Sequence, residues 1–167
     1  MANLQDLQDL LNKAVTEIPK KAAAIIGVEG KNFINKNFQD QGFTDTSLKK
    51  WDPRKTTDRK GRDITRYRTD RVGSKGDFTQ FGRQNEGRAI LTGHETGGDK
   101  LRNSWRYTTI NAQNENIAVK FFTYKNYASY HNEGTDDLPK RQFIGKSAYL
   151  DGKIQDKLKR TLDQLFK

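Results

Sequence analysis

Cysteine is absent from the 167 residues, so disulfides, thiolate metal sites and thiol catalysis are all unavailable to this chain. An intracellular origin fits that composition. Histidine is nearly absent too, with only His94 and His131. His94-Glu95, and His131 with Glu133, Asp136 and Asp137, come nearest to a hydrolytic metal site. Such a site needs three or four well-placed ligands, and no HExxH spacing occurs. There is no GxSxG elbow for acyl transfer, and Gly97-Gly98-Asp99-Lys100 is too short for a phosphate-binding loop. Long hydrophobic runs are missing as well: no window approaches the roughly 20 apolar residues that cross a bilayer. The opening MANLQDLQDL has neither the basic start nor the continuous apolar stretch of a signal peptide. The expectation is a protein without enzymatic activity, cofactor, metal or membrane partner.

Apolar residues are scarce throughout. Only 32% of the chain is hydrophobic against 31% charged, and the mean hydropathy is −1.00. The length suits one compact domain, so its core must be small, with part of the chain outside it.

Positive charge, in contrast, is plentiful. Lysine and arginine number 31 against 21 acidic residues, a net charge of +10, and such a field favours anionic partners. The excess is local. Between Lys49 and Arg71 lie ten basic residues, namely Lys49, Lys50, Arg54, Lys55, Arg59, Lys60, Arg62, Arg66, Arg68 and Arg71, with four acids among them. With Trp51 and Tyr67 interleaved, this stretch is the best nucleic-acid candidate, its cations set against phosphates and its rings against unpaired bases. The bland alternative, which we adopt, is a solvated loop that becomes ordered on meeting a neighbouring subunit. Apolar periodicity disappears from residue 44 to residue 88, which reads as a long basic loop or insertion within a single domain spanning residues 1–167.

Elsewhere the patterns are regular. Leu4, Leu7, Leu10, Leu11, Val15 and Ile18 recur at helical steps, and the helix should break before Pro19, because the residue preceding a proline is pushed out of the α region. A second helix from Pro19 carries Ala22, Ile25, Ile26, Phe33, Ile34 and Phe38 and stops near Gly42, with Gly27 and Gly30 as its weakest points. Residues 104–110 and 116–124 alternate as two strands of an antiparallel hairpin. Residues 126–143 read as an irregular connection. Leu150, Ile154, Leu158, Leu162 and Leu165 then mark a closing helix. The expected fold is α+β: an antiparallel sheet around a central hairpin, packed against N-terminal and C-terminal helices, with a long polar loop.

The second half holds a more specific order of residues. Ile90-Leu91-Thr92-Gly93 leads to Leu101-Arg102-Asn103-Ser104 and the hairpin. Tyr127-Ala128, His131 and Gly134-Thr135 follow, then Pro139, Arg141 and Phe143-Ile144-Gly145, and the terminal helix. In that order and spacing the chain resembles the phage virion morphogenesis family, the tail-completion proteins of Mu-like phages and prophages. The resemblance covers roughly residues 89–165. Before it, Asn37-Phe38, Gly42, Trp51 and Pro53-Arg54-Lys55 fit more loosely. Gln142 stands where the family often has a second proline, Gly97 to Lys100 lengthen a turn, and Ile64 to Arg83 look like an insertion.

The resemblance implies a non-enzymatic assembly protein at the head–tail junction or the end of the tail. Proteins with this job typically form rings, often hexameric, that cap the tail and dock the head connector. The implied partners are further copies of the chain, tail-tube and head-connector proteins, and DNA passing without sequence preference. The implied location is the virion, and the host cytoplasm during assembly. Leu101, Ser104, Tyr127, Ala128, His131, Gly134, Pro139, Arg141 and Phe143 would then be structural. Gly134 suits a positive-φ turn and Pro139 an extended exit, Phe143 and Ile144 can plug into the sheet, and Arg141 can fork onto Glu133, Asp136 or Asp137. The ten basic residues would face a neighbour or DNA. The competing reading is a nucleic-acid-binding accessory protein using residues 49–71, and a small hydrolase is the third.

Overall fold

The computed structural model describes residues 4–53, 59–62, 77, 79–80, 83, 89–91, 100–110 and 118–166. The order of elements is helix α1 (Leu4–Asp40), strands β1 (Gly42–Thr44) and β2 (Leu48–Lys50), a 3-10 turn at Leu101–Asn103, strands β3 (Arg106–Ile110) and β4 (Ala118–Phe122), the short helix α2 (Ala128–Glu133) and helix α3 (Ala148–Leu165). The class is α+β, with helices at both ends and two small antiparallel sheets of two strands each.

The expected break at Pro19 does not occur: α1 is one helix of 37 residues with Pro19 inside it, about 55 Å long at 1.5 Å per residue. The proline removes one hydrogen bond, the one to the carbonyl of Val15, and that turn is exposed, so water can take the freed carbonyl. Across it, Glu17 and Lys21 pair at 3.2 Å, and Ala22-Ala23-Ala24 resumes the helix with its best former. Gly27 and Gly30 are not weak points but landing sites. A Cβ at Gly27 would overlap the Tyr107 ring, and one at Gly30 the Phe121 ring. The two glycines let the β3–β4 hairpin lie directly on α1.

That hairpin pairs Arg106 with Phe122 through Ile110 with Ala118. Alternation holds in β4, where Val119 and Phe121 are half-buried while Ala118, Lys120 and Phe122 face out, but not in β3, which is exposed at every residue. The link between the strands, residues 111–117, lies outside the described residues. Two elements depart from expectation. Leu48–Lys50, at the start of the segment read as a loop, pairs with Gly42–Thr44 as a second small sheet. Residues 128–133, read as irregular, form a helix of six residues. Most of 44–88 lies outside the described residues.

The core is aromatic and lies between α1 and the chain that follows α2. Phe38 and Phe143 stack with centroids 5.0 Å apart, and Trp51 and Trp105 each meet one of them edge-on at 5.6 Å. Ile34, Leu101 and Ala128 complete it. Helix α3 starts beside Phe33 through Tyr149 and reaches Glu29 through Lys157, so it runs back along α1 toward its N-terminal half. The Leu150–Leu165 stripe is half-buried in that contact.

Candidate functional site

Most of the described residues that the sequence singled out in the second half converge on one corner; Thr92 and Gly93 lie outside the described residues. Leu101 is buried in the core, and its carbonyl accepts from the Ser104 hydroxyl at 2.9 Å, closing the turn into β3. Ser104 Oγ also shares a 2.6 Å hydrogen bond with Thr123 Oγ1, joining the two hairpin strands at their base. Ala128 packs in the core cluster, and helix α2 ends at Gly134 with φ of 81°, the positive φ expected of it. After Pro139 the chain returns past α2, where the Arg141 N–H donates to the His131 carbonyl at 2.7 Å.

Three further side chains hold this return. Asn132 Oδ1 accepts from the backbone N–H groups of Phe143 and Ile144, at 3.0 and 3.1 Å. Asn37, fully buried, donates to the Phe143 carbonyl at 3.1 Å and accepts from the Thr44 N–H at 3.3 Å. The Trp51 indole N–H donates to the Gln142 carbonyl at 2.7 Å. At the end of α1, Gln41 bonds both backbone groups of Ile90 through its amide. Asn37 had a signal only as a loose match to the family, and Asn132 and Gln41 had none; Trp51, expected among the basic residues as a ring for unpaired bases, is instead buried in the core.

The expectation for Arg141 needs correction. Its guanidinium does not fork onto Glu133, Asp136 or Asp137. It is 6% exposed and donates to the backbone carbonyls of Asp52 and Pro53, each at 3.4 Å. Asp137 instead meets Arg59 at 2.8 Å, both side chains exposed, a pair worth at most about 1 kcal/mol. The burial that places the Arg141 guanidinium against the backbone of residues 52–53 also lowers its pKa, with the Asp52 carboxylate opposing that effect. Tyr127 is exposed and stands edge-on to the His131 ring at 6.0 Å.

Burial, and secondarily the Arg141 charge, push the His131 pKa below its ordinary value of 6.5. The unfolded chain therefore binds the proton more readily than the folded one. The stability associated with a neutral His131 is whole above pH of about 6.5 and is lost as pH falls from there toward the lower folded value. Melting temperature should fall more steeply below pH of about 6.5 in the native chain than in His131→Gln. Parallel curves would show that the ring titrates as it does in solvent.

The basic residues are divided. Lys49, Lys50, Arg59, Lys60 and Arg62 are exposed, whereas Arg54, Lys55, Arg66, Arg68 and Arg71 lie outside the described residues, as does His94. Lys50 donates to the Asp40 carbonyl at the end of α1 at 2.5 Å. Lys49 and Lys50 border a cavity of about 230 Å³ with Phe43, Trp51, Asp52, Lys140 and Gln142. A wider, more open hollow of about 420 Å³ lies over Trp105, Phe121, Phe122 and Phe143. Among the described residues no three His, Asp or Glu side chains converge to hold a metal ion, and no helix is long and apolar enough to cross a membrane.

Among the described residues the most exposed apolar surface is on α1. Leu4 is 81% exposed, Leu11 55% and Val15 74%, and Leu7 and Leu10 are exposed too. These first turns project beyond the part of the helix that α3 and the hairpin cover. No protein-family model, curated protein or solved structure matches this chain.

Proposed function

We propose that this chain is a non-enzymatic virion assembly protein that completes a phage tail or joins it to the head, acting as the protomer of a ring. The observation that carries the reading is the first four turns of α1. Isolated exposed leucines are ordinary, but a contiguous stripe on a projecting helix is the mark of a protein–protein contact. A basic chain with a small core and such a stripe gains stability by association. The resemblance in residues 89–165 supplies the kind of assembly. Most of its described motif residues pack where the hairpin and the return from α2 meet α1, which supports reading them as a scaffold.

The competing reading rests on the exposed lysines and arginines near residues 49–62, and it differs in salt dependence. A DNA binder should lose duplex affinity steeply as salt rises. The deciding experiment is electron microscopy of particles made without this protein. Unjoined heads and tails, or tails of abnormal length, are the expected result; normal virions would overturn the proposal.

A further inference from the structure

We propose that the N-terminal arm of α1 docks into the aromatic, lysine-rimmed cavity beside β1 and β2 of a second copy of the chain. This head-to-tail contact rests on the assembly reading above and specifies its interface. The arm and the cavity lie at opposite ends of one rigid element. Leu11 is in the third turn of α1, whereas Phe43, Lys49, Lys50 and Trp51 follow its last turn, about 40 Å further along the helix. Two different patches at opposite ends form a heterologous pair, and repetition of such a pair generates a ring if the rotation closes.

Charge selects the occupant. Within a chain of net charge +10, residues 4–16 carry Asp6 and Asp9 against Lys13 alone, Glu17 being paired with Lys21. The arm is an acidic piece of a basic protein. The cavity is its complement: among the described residues Lys49, Lys50 and Lys140 surround it, with Asp52 opposing. Lys49 and Lys140 have no carboxylate partner among the described residues. Its floor is Phe43 and Trp51, both buried, which gives leucine side chains an apolar seat inside a cationic rim. At about 230 Å³ the space is below the roughly 300–1,000 Å³ usual for small-molecule sites.

Two other occupants of the arm fit less well. Leu4, Leu7, Leu11, Ala14 and Ile18 follow the three–four spacing of a coiled-coil seam, but this is about two heptads where three or four are needed. Pairing two arms would also bring like charges together. An anionic membrane favours helices with lysine and arginine on the polar face, and this arm has aspartates there.

The test is the mass of the full-length chain by light scattering, over a range of protein and salt concentrations. The native chain should assemble well beyond its 19.2 kDa, more weakly as salt rises. Leu7→Asp with Leu11→Asp should raise the dissociation constant at least tenfold, and so should Lys49→Glu with Lys140→Glu. All four positions are exposed, so the melting temperature should stay unchanged, which separates lost docking from lost folding. Asp6→Lys with Asp9→Lys should fail alone and should assemble when mixed with Lys49→Glu/Lys140→Glu. Assembly that survives the lysine reversals but not the leucine changes would mean that arms pair with arms, and the proposal fails. A native chain that stays monomeric also overturns it, and arm-dependent binding of that monomer to phosphatidylglycerol vesicles would assign the arm to a membrane instead. Both results leave the tail-completion reading to be judged separately, by particle morphology.

Discussion

Phe143→Ala is expected to destabilise the protomer by about 3–5 kcal/mol, the usual cost of truncating a buried aromatic ring. The side chain is 0% exposed, stacks on Phe38 and receives the edge of Trp105. These three rings link α1, the entry to β3 and the return from α2, so the cavity left by alanine has no single flexible neighbour to fill it. Aromatic pair geometry adds on the order of 1 kcal/mol per contact beyond the area buried. In a chain of this size the loss corresponds to a fall of roughly 10 °C in Tm. Urea unfolding at neutral pH measures it directly. A loss below about 1 kcal/mol would show that the corner relaxes around the gap and does not organise the fold.

How far the sequence revealed this arrangement depends on the reach of each contact. Helix α3 and the β3–β4 hairpin were legible because their signals are local: leucine at steps of three and four, and alternation at steps of two. The α+β class followed from them. Helix α1 was half legible. Its apolar stripe announced it, but a rule about the residue before proline outweighed the rest, and the exposed turn at Val15 removed the expected penalty. Gly27 and Gly30 looked like defects because the rings they admit, Tyr107 and Phe121, arrive some 80 to 90 residues later.

Distance in sequence also explains the errors at the candidate site. Glu133, Asp136 and Asp137 were the natural partners for Arg141 because they are close along the chain. Once the guanidinium is buried against the backbone of residues 52–53, the carbonyls of Asp52 and Pro53, 89 and 88 residues away, satisfy it instead. Its contacts within the fold are a different set from the expected one. The exposed arm was visible as an amphipathic pattern, but a pattern of apolar residues does not say which of them find a partner within the chain. Only the position of α3, alongside the later part of α1, leaves Leu4 to Val15 uncovered.

Asn37→Leu is expected to cost about 2–4 kcal/mol, although leucine has the same branched skeleton as asparagine and is far more at ease in a core. The reason is what it leaves behind. The Asn37 amide donates to the Phe143 carbonyl, 106 residues away, and accepts from the Thr44 N–H. Both backbone groups would lose their partner where water has little access, at about 1–3 kcal/mol each. The loss should appear in denaturant midpoints and in faster hydrogen exchange at the Thr44 amide. Unchanged exchange there would mean that another acceptor replaces the asparagine. The variant also bears on assembly, because Thr44 ends β1 and the Phe143 carbonyl lies next to Gln142, which lines the lysine-rimmed cavity. Asn37→Leu should therefore lower the melting temperature and weaken self-association together, whereas the arm variants should weaken self-association alone. If Asn37→Leu melts early but assembles with native affinity, the cavity beside β1 and β2 is not the seat of the arm.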